Sequence, residues 1–162
     1  MLLLISDANI LIDLECADLS KTVFALGYRF GVPDVLFAEE LEEQHAHLLA
    51  LGLETLGLSP EVIANVERLA DKYRKPSRND LFALALALAE QCPLLTGDAA
   101  LRSAAKKEGA DTKGTLWLIE EMIKRDLMSV AEGRAAYELM KSQGRRLPWD
   151  EAHARLDRLS EL

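Results

Sequence analysis

Sulfur, linker-like segments and N-terminal basic residues are what this chain has least of. Its two cysteines, Cys16 and Cys92, stand apart from each other, with no CxxC pair and no histidine at ligand spacing. Buried free thiols are therefore expected in place of a disulfide framework or a zinc site. No run approaches the roughly 18 consecutive apolar residues of a membrane span, and the opening LLLI is too short for a signal peptide and lacks its basic flank. A cytoplasmic protein without membrane association is the expectation. Internal repeats and low-complexity tracts are missing too, which leaves one compact domain as the default for 162 residues of which 49% are hydrophobic. Serine and cysteine have no histidine at motif spacing, so no hydrolytic triad is legible.

Basic groups are scarce at one end only. Residues 1–60 hold two, Lys21 and Arg29, against ten acidic ones, whereas residues 61–162 hold 17 of each, so the whole formal charge of −8 belongs to the first part. Such a chain does not coat nucleic acid by bulk electrostatics. Its basic clusters, Arg74, Lys75 and Arg78, then Arg102, Lys106 and Lys107, then Arg145 and Arg146, read first as solvated faces.

What is present is an alternation of strand-length and helix-length segments. LLLIS (2–6) is a buried strand by its continuous apolar run, and NILIDLE (9–15) has helical spacing. A short helix ends at Gly27, and GVPDV reads as a turn in which Pro33 opens a long helix through VLFAEELEEQHAHLL. LETLGL (53–58) alternates like a strand; Ser59 and Pro60 start a helix that runs toward Pro76. LFALALALA is apolar all round, which marks the central helix, surrounded by protein on every side. The short strand PLLT follows, then an amphipathic helix ending in Lys106, Lys107 and Gly109. This β-α order predicts a parallel sheet with helices on both faces, and three further helices after residue 114.

Carboxylates recur at the ends of these segments. Asp7 follows the first strand, where it can cap the next helix. Asp98 follows PLLT, Asp80 heads the apolar helix, and Glu39 and Glu40 lie on the helix after Pro33. Strand ends of a parallel sheet share one edge, so Asp7 and Asp98 converge if their strands are neighbours. Two charges about 4 Å apart repel by roughly 4 kcal/mol at an effective dielectric of about 20, so such a cluster needs protons or a divalent cation. An oxygen-only ligand set suits Mg²⁺ or Mn²⁺, the chemistry of a nuclease or phosphatase. His45 and His47, two apart, fall on different sides of a helix and make a poor metal pair.

SDANILIDL, PDVLFAEEL and SRNDLFALALALAEQCPLLTGDAALRSAAKKEG resemble the successive acidic motifs of the PIN domain family, over roughly residues 2–120. In that family an Asp ends the first strand, a Glu follows on a helix, an Asp heads a buried helix and an Asp follows a Thr at a strand end. The matching positions are Asp7, Glu39, Asp80 and Asp98. The resemblance implies an α/β/α sandwich with a central parallel sheet and Mg²⁺- or Mn²⁺-dependent hydrolysis of single-stranded RNA. Asp7, Asp80 and Asp98 would hold the metal directly or through water, Glu39 would orient or deprotonate the attacking water, and Asn9 and Thr96 would support the pocket by hydrogen bonds. Glu40 adjoins Glu39, and a regular helix turns only one of them to the pocket, Glu39 being preferred.

Residues 126–162 resemble the helical extension of a prokaryotic PIN-like subfamily, packed on a nuclease domain of residues 1–125. Many relatives are VapC-like toxins, which implies a partner antitoxin. The alternative is a catalytically weak PIN-like protein acting as a binding or regulatory module, and the last helix can also contact a second copy in a homodimer. The chain departs from the pattern at Gly97, where relatives often carry another acid.

Overall fold

A computed structural model describes residues 2–161. Strand β1 (Leu3–Ser6) is buried from Leu4 onward, and Asp7 caps α1 (Ala8–Cys16) by accepting from the Ile10 N–H. After α2 (Ser20–Phe24) comes β2 (Arg29–Pro33), a strand where a turn was expected. Gly31 and Pro33 disguise it, since both residue types are depleted in strands. The fold needs the glycine, because a Cβ at Gly31 would lie 3.0 Å from Leu56 Cδ1 and 3.3 Å from Ile5 Cδ1. Pro33 is tolerated because it is the last residue of the strand.

The long helix expected after Pro33 is broken. It comprises α3 (Asp34–Leu36), a π-helical turn (Phe37–Leu41), α4 (Glu42–His45) and, after a turn, α5 (Leu48–Leu51). π-turns inside helices occur frequently at functional sites, and this one carries Glu39 and Glu40. Strand β3 (Glu54–Leu56) and α6 (Pro60–Lys72), the latter capped by Ser59 with Pro60 in its first turn, follow as expected.

Helix α7 (Arg78–Glu90) starts in a capping box in which Ser77 and Asp80 satisfy each other's backbone N–H groups. Leu81, Ala83, Leu84, Ala85, Leu86 and Ala87 are all buried, and the helix packs on β1, β2, α3, α6 and α8 as well as on β4 (Leu94–Leu95). Helix α8 (Ala99–Lys107) then leads to β5 (Thr112–Lys113), a two-residue strand with no apolar signal in the sequence. Helices α9 (Thr115–Lys124), α10 (Val130–Ser142) and α11 (Trp149–Ser160) complete the chain.

All five strands are parallel, in the order β3-β2-β1-β4-β5. One helical layer gathers around α7 with α3, α6 and α8; the other joins α1, α2, α9, α10 and α11. The result is an α/β/α sandwich. Chain order runs outward from β1 through β2 and β3, then returns to the other side of β1 for β4. The sheet therefore switches direction at the β1/β4 junction, and open α/β sheets bind their ligands at such a point.

Candidate active site

Asp7 leaves β1 and Asp98 follows β4 on the same edge of the sheet, at this junction. Their strands are hydrogen-bonded neighbours, with Ile5 opposite Leu94 and Ser6 opposite Leu95. Thr96 ties them together: its Oγ1 donates to Asp7 Oδ2 at 2.5 Å and accepts from the Asp98 N–H at 3.1 Å. Asp98 also caps α8 through the Leu101 N–H. Asp7 is only 2% exposed, and burial, which outweighs the bonds from Thr96 and Ile10, pushes its carboxyl up to about 6, with smaller added repulsion from Asp80 and Asp13.

Asp80 enters from the other side. Burial raises its pKa, Asp98 raises it further, and the bonds to Ser77 work against both. Beside it, the Asn79 side-chain amide donates to Glu39 Oε2 at 2.8 Å and to Glu40 Oε2 at 3.0 Å. Both neighbouring glutamates thus reach the same amide, whereas a regular helix was expected to turn only one inward. The π-turn is the local cause, since it departs from the 100° step of an α-helix. Burial raises the Glu40 pKa, with further repulsion from Asp80 and Glu39.

The chain of mutual repulsions runs Glu40, Asp80, Asp98 on one branch and Asp80, Asp7, Asp13 on the other. Asp13 had no place in the expected site. It is 5% exposed, accepts from Thr115 Oγ1 at 2.8 Å and from Arg145 Nε at 2.7 Å. Burial raises its pKa against these two partners. Arg145 also donates to the Asn9 carbonyl and to Asn9 Oδ1 at 3.1 Å. Asn9 is exposed and is held by Arg145, not by an expected site carboxylate. An acid within the apolar stripe of α1, one turn after Asn9, was the available signal for Asp13; nothing local points to Arg145, 132 residues further on.

A cleft of about 410 Å³ opens here, lined by Asn9, Asp13, Gly97, Asp98, Arg145 and Arg146 among others. A Cβ built at Gly97 meets nothing within 4 Å, so the missing acid leaves open space and not a packed contact. The two histidines also differ from expectation. Helix α4 ends at His45, and the turn after it swings His47 round so that both imidazoles meet Glu15. Burial of Glu15 is outweighed by Ser20 and these two rings, which hold its pKa low.

The donor chemistry of the strand-end cluster is all oxygen, as hard divalent cations require. Among the described residues, no group of three or more His, Cys, Asp or Glu side chains is placed to hold a metal ion. Donors of this kind would suit a hard divalent cation that keeps several of its waters. They do not fit an ion caged wholly by protein.

No curated protein matches the chain. A family model described as a PIN domain matches residues 3–161, nearly the whole length and including the three C-terminal helices. The acidic switch-point site and this match agree, and the chain belongs to the PIN domain family.

Proposed function

We propose that this protein is an endoribonuclease that hydrolyses single-stranded RNA with Mg²⁺ or Mn²⁺, held by Asp7, Asp80 and Asp98 directly or through water. PIN domains are generally nucleases and typically use divalent metals. The observation that carries the reading is Asp7, a buried carboxylate with a pKa of about 6 at the sheet's switch point, hydrogen-bonded through Thr96 to the Asp98 motif. A divalent cation bound there supplies charge for the phosphodiester and lowers the pKa of a water nucleophile.

The chain's own residues supply position and proton transfer. Thr96 fixes Asp7 and the Asp98 backbone in one arrangement. Asn79 holds Glu39 and Glu40, and a carboxylate whose pKa is raised by burial and by neighbouring acids, as that of Glu40 is, makes the better proton acceptor. Glu39 beside it keeps the role of orienting the water. Arg145 stabilises the charge of Asp13, so that Asp13 serves the site without being a ligand.

The same reading makes the protein a cytoplasmic toxin whose partner antitoxin covers the exposed mouth at Asn9 and Asp98; no described helix is long and apolar enough to cross a membrane. A catalytically weak binding or regulatory module is favoured by one observation, the lack of a three-residue metal cage among the described residues. Cleavage of a labelled single-stranded RNA separates these readings. The nuclease reading expects cleavage with Mn²⁺ or Mg²⁺, none with EDTA and none from Asp7→Asn. A folded wild-type protein that cuts no RNA with either metal supports the module.

A further inference from the structure

A second cleft, of about 520 Å³, adjoins the acidic one and shares Gly97, Arg146 and Leu147 with it. Its cations are Arg102 from α8, Lys113 from β5, Arg146 from the segment between α10 and α11, and Arg155 from α11. Two separate stretches of the chain, α8 with β5 and the α10–α11 segment with α11, thus bring positive charge to one groove of a chain with a net charge of −8. Not all of that charge is free. Arg155 is held by Glu120 in two hydrogen bonds, Glu151 also lines the groove, and Lys113 lies 3.7 Å from Asp111.

Arg102 and Arg146 make no ion pair and no side-chain hydrogen bond among the described residues, and both are exposed. Lys113 is braced differently, with its Nζ 5.6 Å from the centre of the Trp117 ring. That ring in turn stacks on Tyr28 at 5.8 Å. Trp117 here positions an ammonium group.

We propose that this groove carries the sugar-phosphate backbone of a single strand toward the acidic site, with Arg102 and Arg146 as its principal phosphate contacts and Lys113 as a third. The assignment rests on the nuclease reading and adds the route of the substrate. Guanidinium groups free of carboxylate partners suit phosphate, which they bind in a bidentate fashion. The shared wall at Gly97 and Arg146 makes the route continuous: a phosphate on Arg146 is next to the cleft that holds Asp98. Two of the three basic clusters in the sequence, around Arg102 and around Arg145–Arg146, thereby meet at one place. The cluster at Arg74 and Lys75 lines a different cleft, between the end of α6 and α8.

Fluorescence anisotropy of a short labelled oligouridylate, in EDTA across a salt series, tests the groove without cleavage. The expected result is that Arg102→Ala/Arg146→Ala weakens binding about tenfold or more at low salt and makes the slope of log K against log salt shallower by about 1.4, the loss of two single-strand phosphate contacts. Arg102→Lys/Arg146→Lys should recover most of the affinity, and thermal melting should show the alanine variant folded. An unchanged slope and affinity in the alanine variant, or an equal loss from Arg74→Ala/Lys75→Ala, would overturn the groove. If wild-type protein cuts RNA with Mn²⁺ yet shows no salt-dependent binding, the groove alone falls. If it neither binds nor cuts, the nuclease reading falls with it.

Discussion

Asp7 carries an energetic cost in the metal-free protein. Its folded pKa of about 6 lies above the ordinary carboxyl value of 3.8, so between those values the native state binds more protons than the unfolded one. Stability therefore falls as pH rises through this window, and above it the ionised carboxylate costs on the order of 3 kcal/mol. Asp7→Asn removes that cost while keeping the cap on Ile10, and the replacing amide can donate to Thr96 Oγ1. In EDTA at neutral pH the variant should be more stable than wild type by about 1–3 kcal/mol, with the gap closing near pH 4, as read by urea denaturation at both pH values. A variant less stable than wild type at neutral pH would contradict this. At the residue scale the acids at strand and helix ends were legible because each sits at a punctuated position: Asp7 and Asp98 as caps, Asp80 in a capping box. Asp13 and Arg145 were not, because their pairing joins α1 to a segment beyond α10, and no local pattern encodes so distant a contact.

Elements were legible where periodicity was strong and obscured where a tertiary contact overrode it. The apolar run of α7 announced a buried helix, and so it packs. Strand β2 was hidden by Gly31, whose missing side chain makes room for Leu56 and Ile5; β5 is too short to show alternation. The π-turn left no signal in FAEEL, yet it brings Glu39 and Glu40 to one amide. Helix α10 holds a polar group that packing has left unpaired: Tyr137 is 1% exposed, and its hydroxyl is the one buried side-chain N or O atom without a hydrogen-bond partner among the described residues. Burial raises its pKa well above the ordinary phenol value. Tyr137→Phe should therefore leave the fold intact and gain about 1 kcal/mol, measurable as a higher denaturant midpoint with unchanged m. A loss of more than about 1 kcal/mol would show that the hydroxyl has a partner in solution.

At the scale of the whole molecule, the C-terminal helices close the structure on the acidic site. Ala136, Tyr137, Met140, Ala152 and Leu156 belong to the same buried core as β1 and α7. Arg145 and Arg155 neutralise Asp13 and Glu120, which are 5% and 8% exposed. Removing residues 126–162 would leave two buried carboxylates without their cations, a loss typically costing about 3–5 kcal/mol for each buried pair, discounted here because both arginines are partly exposed. The full chain should melt in one cooperative transition and the truncated chain should lose it, as followed by circular dichroism. A truncated chain with an unchanged melting temperature would make the C-terminal helices an appendage. Part of the N-terminal charge surplus, Asp7, Asp13, Glu39 and Glu40, belongs to this site, and of these Asp13 is ion-paired from the C-terminal half, by Arg145.

Mn²⁺ titration followed by electron paramagnetic resonance tests, without any substrate, whether this acidic site is built for a divalent cation. The wild-type protein should bind Mn²⁺ saturably, and the binding should be lost or greatly weakened in both Asp7→Asn and Asp98→Asn, each still folded. Undiminished Mn²⁺ affinity in those variants, or no Mn²⁺ binding by the wild type, would contradict that role.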